Sequence, residues 1–490
     1  MIIVKLLSAL VTSLIFYCSL SLFITQFYDE KRAMLLFKQR ISVCSFENTI
    51  TYALISLSLG LVWFTNYLFL IPLVVAAFVK LIKDKRIKFH FTRRSVSLLT
   101  LGVITNIVLC IFLSTHTYYI LFLVMLLVPE LLVVFFNYLL YPYESLIKEY
   151  YIKQAKEKIK HNKKLKIIAI TGSFGKTSFK NYLYTLLSGQ YTVIKTPGSV
   201  NTPMGICKFI NDNLSDFDDY MILEVGVDAP NAMKKFFKIF TPDIGVITSI
   251  GEMHLATFKT LENIQKEKME LFANLKGEQL KVYNADCDLI NVKKDGNCLE
   301  YSMNEIEILS SDINGTKFRY LNNSYDVSII GKHQLLNLVG ALKLSIRLGV
   351  RGELLKMRMG LIKAEKHRLS VEKYENTYLI DDAYNANLKG ILEAIDVTMS
   401  FIGTKGIILN GIIEAGDKSY QINEEVAKAL NGFDYIVLLD NAPKGLKETL
   451  KKEKLAFKSF LNYRDGLRFL LKKDLNYILL CSNAEKEYLK

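Results

Sequence analysis

The chain has 490 residues, 62 Lys and Arg against 48 Asp and Glu, a formal net charge of +14 and 51% hydrophobic residues, with a mean hydropathy of +0.21. That length has room for about three domains. Residues 1–164 hold 19 basic and 8 acidic side chains, a net of +11, whereas the remainder holds 43 and 40, a net of +3. A basic excess confined to the apolar third points to a membrane surface and away from nucleic acid. Cys18, Cys44, Cys110, Cys207, Cys287, Cys298 and Cys481 are scattered, odd in number and without CxxC spacing. This argues against a disulfide or zinc framework.

In chain order, residues 2–27 are apolar apart from Lys5 and small polar residues, which predicts an uncleaved spanning helix. Residues 49–79 carry no charge, and further apolar runs follow at 95–114 and 120–140. Lys31, Arg32, Lys38 and Arg40, and then the seven basic residues of 80–94 ending in Arg93 and Arg94, put both of those loops in the cytoplasm. Residues 49–79 would then cross twice, or dip in and return, with Asn66 and Pro72 as places for the break. The expectation is a transmembrane domain over 1–141 with about five spans, multi-pass in the cell membrane, and catalytic domains in the cytoplasm. Glu130, beside Pro129, would be an intramembrane carboxylate, either functional or paired with a neighbouring helix. Residues 142–164 read as an amphipathic linker helix, with Leu146, Ile147, Tyr150, Tyr151 and Ile159 opposite a lysine-rich face, resting on lipid headgroups.

Residues 167–178 read IIAITGSFGKTS: a buried-strand pattern, a glycine turn and a helix start. Such a turn cradles phosphate, with backbone N–H groups and the helix N-terminus facing the anion. Gly172, Ser173, Gly175, Lys176, Thr177 and Ser178 would form it, with Lys176 on the outer phosphates and the Thr177 hydroxyl on Mg²⁺. The first glycine of the usual spacing is missing, because Ile170 stands there. The runs YTVIKT, YMILEVG, IGVITSIG and KVYNAD then alternate with helical patterns, predicting a doubly wound parallel sheet over 165–365. Glu224 ends one such strand and His254 follows another, and functional residues gather at these strand ends. With Thr177 they make an oxygen and nitrogen set suited to a divalent metal. Residues 366–490 alternate again, which predicts a smaller α/β domain, with strands in YLIDDAY, KGIILNGII, FDYIVLLD and LNYILLC.

TGSFGKTS, the glutamate of LEVG, GEMHLATF followed by ENIQKEKMELF, NAD at 284–286, GKHQLLN at 331–337 and IDDAYNAN at 380–387 occur in that order. Across about residues 165–420 the chain resembles the Mur ligase family of ATP-dependent amide-forming enzymes. It is most similar to the branch that adds D-alanyl-D-alanine to a muramoyl peptide. The resemblance implies that Lys176 and the glycine turn hold ATP. Thr177 and Glu224 would bind one Mg²⁺ and His254 a second, with Lys268 carbamylated by CO₂ as a bridging ligand. Asn337 would lie near the base, Asn284 and Asp286 near ADP, and His333 would be structural. Arg368 and Asp382 would be delivered by the closing C-terminal domain, and Tyr384, Asn385 and Asn387 would line the amine site.

The reaction implied is attack of a substrate carboxylate on the γ-phosphate, then of an amine on the acyl phosphate. Some motifs depart from the family pattern: Leu388 replaces the proline after YNAN, and LNGIIEAGDKSYQINEEV lacks the family's later histidine. The family's domain for the uridine diphosphate sugar has no counterpart in the resemblance. This suggests a small-molecule or lipid-linked envelope precursor, an amino acid or dipeptide as amine, and membrane lipids and envelope-synthesis proteins as partners. A poly-γ-glutamate-type ligase and a non-catalytic nucleotide-sensing scaffold are the alternatives.

Overall fold

A computed structural model of the chain describes residues 93–112, 129–253, 255–276, 280–293, 296–383, 388–412, 418–440 and 442–481. They fall into two units, 1–149 and 150–490. In the first lies helix α1 (Arg93–Phe112), and helix α2 (Pro129–His161) runs through the division. The spans expected at 2–27 and 49–79 lie outside the described residues, as does the side chain of Glu130. Among the described residues no helix is long and apolar enough to cross a membrane. After its arginine pair, α1 is left with 95–112, short of the roughly 20 apolar residues a ~30 Å hydrocarbon core needs. In α2 the apolar run is bounded by Glu130 and Glu144. The expected transmembrane domain, and the multi-pass membrane localisation resting on it, are corrected accordingly.

The end of the segment read as a linker helix packs on protein. The last turns of α2 bury Ala155 completely and pack Tyr151, Ile152 and Ile159 against the core of the second unit. Lys158 Nζ donates to Asn211 O, and Asn162 Nδ2 to the carbonyls of Ser215 and Asp218 at 3.0 and 2.8 Å. An amphipathic face is satisfied by protein as readily as by lipid.

The second unit contains two parallel sheets. The first is ordered β2-β3-β1-β4-β5-β6, with β1 Lys166–Thr171, β2 Val193–Lys195, β3 Tyr220–Glu224, β4 Ile244–Ile247, β5 Leu280–Asn284 and β6 Cys298–Tyr301. Every pairing in it is parallel. Successive strand side chains point to opposite faces, so the apolar run of β1 feeds two cores. Ile168 and Ile170 pack under helices α3 (Lys176–Leu187) and α8 (Lys332–Arg347). Ile167 and Ala169 face α4 (Pro203–Asn213), α5 (Ala232–Phe237) and α7 (Leu261–Ala273). Burial on both faces explains why the strand is apolar without alternation. A four-residue helix, α6 (Leu255–Phe258), precedes α7.

An antiparallel meander, β7 (Ile306–Asp312), β8 (Gly315–Tyr320) and β9 (Asn323–Val327), follows, and the sequence reading had not separated it. Helix α9 (Gly352–Met359) then leads to the second sheet, ordered β10-β11-β15-β12-β13-β14. Its strands are β10 Ser370–Tyr374, β11 Thr377–Asp381, β12 Lys405–Leu409, β13 Tyr435–Leu439, β14 Phe457–Phe460 and β15 Tyr477–Cys481. Only β10 is antiparallel to its neighbour. Helices α10 (Leu388–Ser400), α11 (Ser419–Ala429) and α12 (Lys444–Lys452) cover one face, and α13 (Tyr463–Leu471) the other.

Helix α8 packs against Phe179 of α3 and Tyr301 of β6 at Gly340. A Cβ there would stand 2.7 Å from Phe179 and 2.8 Å from Tyr301, both fully buried. Gly340→Val should therefore lower stability by about 1–3 kcal/mol through overpacking. Urea unfolding of the two proteins checks this, with a fall in midpoint and no change in slope expected.

Candidate active site

The site is built at the C-terminal ends of the first sheet's strands. β1 ends at Thr171, and the chain turns through Gly172, Ser173, Phe174 and Gly175 into α3. Gly175 is left-handed at φ 82°, and a Cβ on it would stand 2.6 Å from the Asn337 side chain. Only glycine fits both demands. The first turn of α3 has no side-chain cap, so its N-terminal amides are left for an anion. The earlier amides are used: Ser173 N donates to Ser249 O and Phe174 N to Ser249 Oγ, each at 2.8 Å. Lys176 folds back, its Nζ donating to Gly172 O at 2.5 Å and Ser173 O at 3.1 Å. Burial, opposed by Glu224 and assisted by Arg368, pushes its pKa down to about 8.

Glu224 closes β3 and is buried. Its Oε2 accepts from Lys180 Nζ at 2.9 Å, and its Oε1 accepts from Asn201 Nδ2 at 3.3 Å. Lys180 is also buried, and nothing in the sequence reading singled it out. The available signal was its position, one helical turn after Lys176 on the same face. Thr177 is buried, and its hydroxyl accepts from Arg368 Nη2 at 3.3 Å. Thr177 and Glu224 thus offer oxygen donors, the chemistry Mg²⁺ prefers. Among the described residues no group of three or more His, Cys, Asp or Glu could hold a metal; His254 lies outside them.

Arg368 sits in a tight turn just before β10 of the second sheet. His367 and Leu369, on either side of it, are left-handed at φ 67° and 51°, each costing about 1–3 kcal/mol. The two aspartates at the end of β11 hold that turn. His367 Nδ1 and Asp381 Oδ2 are 2.6 Å apart, and Leu369 N donates to Asp382 Oδ1 at 3.0 Å. Gln334 Nε2 donates to Arg368 O at 2.7 Å, and Tyr182 OH to Gln334 Oε1 at 2.8 Å. Asp382 therefore touches the backbone that presents Arg368.

Lys268, on α7, is 2% exposed. Burial holds its pKa well below the ordinary lysine value; Lys176 adds to the shift, and Glu267 and Asp228 oppose it. Asn284 Nδ2 donates to Thr248 O at 3.1 Å, bracing the segment that binds the glycine turn. Asp286 accepts from Ser302 Oγ and from Met303 N at 2.8 Å, away from that segment. Asn337 Nδ2 donates to His333 O at 2.8 Å, one turn back along α8. His333 N donates to Glu393 Oε1 at 2.7 Å, tying the start of α8 to α10 of the second domain. Tyr384, Asn385 and Asn387 lie outside the described residues.

The turn and sheet have the arrangement of a phosphate-binding loop at a strand end, and Arg368, from the turn before β10, meets it at Thr177. Residues 170–345 match the Mur ligase middle domain. The chain's relatives include UDP-N-acetylmuramoyl-tripeptide--D-alanyl-D-alanine ligases. That of Bacillus subtilis is 27% identical over 54% of this chain and 60% of its own length. That of Borreliella burgdorferi is 28% identical over 56% and 62%. The chain thus spans about three fifths of the length of the curated relatives it matches. In fold it is similar to MurF from Thermotoga maritima in complex with ADP, with a TM-score of 0.61 and 23% identity over 69% of this chain and 80% of that one. MurF from Acinetobacter baumannii gives 0.60 and 22%, over 69% and 77%.

Proposed function

We propose that the chain is an ATP-dependent ligase that joins a carboxylate to an amine through an acyl phosphate. The substrates would be those named for its relatives, a UDP-linked muramoyl tripeptide and D-alanyl-D-alanine. The observation that carries the reading is the two-domain anion site: Arg368 of the second domain stands on Thr177 of the glycine turn, within electrostatic reach of Lys176. Two anions, a carboxylate and a γ-phosphate, must be brought together. Fixed cations in a water-poor site offset their repulsion and the charge that develops.

A carboxylate oxygen bonds the γ-phosphorus and ADP leaves. The amine then bonds the acyl carbon, loses a proton, and phosphate departs with the donated oxygen. Lys176 and the first turn of α3 would orient the phosphates, and Arg368 would exclude water once the domains meet. Thr177 and Glu224 would hold Mg²⁺, which supplies charge neutralisation at the phosphates. Phosphate release that requires ATP and both substrates together, and is lost in Lys176→Ala, tests the proposal. Release with ATP alone would count against it.

Lys268 supports a carbamate in this reading, because a buried amine held below its usual pKa presents the neutral form that attacks CO₂. Bicarbonate labelled with ¹³C should give a carbamate signal in the wild type and none in Lys268→Ala. Rigorous removal of CO₂ should lower turnover reversibly; turnover indifferent to CO₂ would remove the carbamate from the account.

A further inference from the structure

Helix α3 carries two lysines four residues apart, and both leave the same face. Lys176 belongs to the phosphate turn. Lys180 does something else. It is completely buried and bridges two segments, donating to Glu224 Oε2 at 2.9 Å and to Gly198 O at 2.5 Å in the loop after β2. The same loop also holds the strand end. Thr196 Oγ1 accepts from Glu224 N at 3.2 Å, and Asn201 O accepts from Gly226 N at 2.8 Å. Glu224 is thus gripped on its backbone and on one carboxylate oxygen. Among the described residues its other oxygen has only the 3.3 Å contact from Asn201.

A buried carboxylate requires a compensating positive charge. A divalent cation could supply that charge, but in this chain a lysine is built in to supply it. We infer that Lys180 is a positioning residue, the resident counter-ion of Glu224. It holds the carboxylate in place without metal, leaves Oε1 as the oxygen for a cation, and by its own charge keeps the affinity for that cation low. A divalent ion then binds together with nucleotide phosphates, whose negative charge outweighs the ammonium's repulsion. The inference rests on the proposed role of Glu224 as a metal ligand.

The test uses the full chain as wild type, Lys180→Met and Lys180→Met/Glu224→Gln, with Mg²⁺ alone as the probe. Thermal midpoints and calorimetric titrations are read in chelator and in MgCl₂, without nucleotide. Lys180→Met should melt early in chelator, be restored by Mg²⁺, and bind the ion at least about tenfold more tightly than wild type. The double variant should fold and show no Mg²⁺ response, and Lys180→Arg should behave as wild type. The inference is overturned if Lys180→Met ignores Mg²⁺, if it stays unfolded with and without the ion, or if the double variant keeps the response. ADP binding by the wild type in MgCl₂ separates the two levels. Its absence would undo the ligase reading, whereas normal ADP binding beside an Mg²⁺-indifferent Lys180→Met undoes only the role of Lys180.

Discussion

Lys176→Ala is expected to lower turnover by roughly 10³-fold, the scale seen when one preorganised donor to a developing anion is removed. The side chain is half-buried against its own turn and, among the described residues, donates to loop carbonyls at 2.5 and 3.1 Å. Its removal therefore strands no charged partner, and the fold should survive. The pH dependence is a second signature of the same residue. Burial, against the pull of Glu224 and with the push of Arg368, sets its pKa at about 8 in the ligand-free protein. Bound phosphates favour the charged form, so above pH 8 binding must take up a proton. Nucleotide affinity should then fall as pH rises through about 8 and be level below it. In Lys176→Met that step should disappear; a step of equal size in the variant would assign it to another group.

Arg368→Ala should lower kcat by about 10²–10³-fold while leaving nucleotide affinity within a few-fold of wild type. The reason is where the groups come from. The glycine turn, Lys176 and the amides of α3 lie at the first sheet, whereas Arg368 comes from the turn before the second sheet and meets Thr177 at 3.3 Å. Arg368→Lys should restore little, because an ammonium lacks the planar fork of a guanidinium. The guanidinium is aimed by a strained turn held by Asp381, Asp382 and Gln334. Equal losses of ADP affinity and kcat would instead place Arg368 in ground-state binding.

The glycine turn was legible because its signal is local: four apolar residues, two glycines and a lysine-threonine pair specify strand, turn and helix without help from elsewhere. The strands carrying it were equally plain, since burial on both faces leaves unbroken apolar runs. Other features depend on what a residue meets far along the chain. Lys268 reads as surface by its neighbours Lys266, Glu267 and Glu270, yet it is buried. Lys180 looks like one more helical lysine until Glu224, 44 residues on, is folded against it. The pairing of Arg368 with Thr177 spans 191 residues. The transmembrane reading came from taking apolar runs as a sign of lipid, and among the described residues no helix is long and apolar enough to cross a membrane. Tyr151 and Ile159 on α2 are apolar because they pack on the α/β core, and a helical pattern alone does not distinguish those two environments.

The central claim is that a substrate carboxylate takes the γ-phosphate before the amine attacks. The most direct measurement supplies muramoyl tripeptide labelled with ¹⁸O in its terminal carboxyl group, with ATP and D-alanyl-D-alanine, and weighs the released phosphate. One ¹⁸O atom per phosphate, with equimolar ADP and amide, is the predicted result. Unlabelled phosphate would mean that water attacks ATP directly, and would contradict the account.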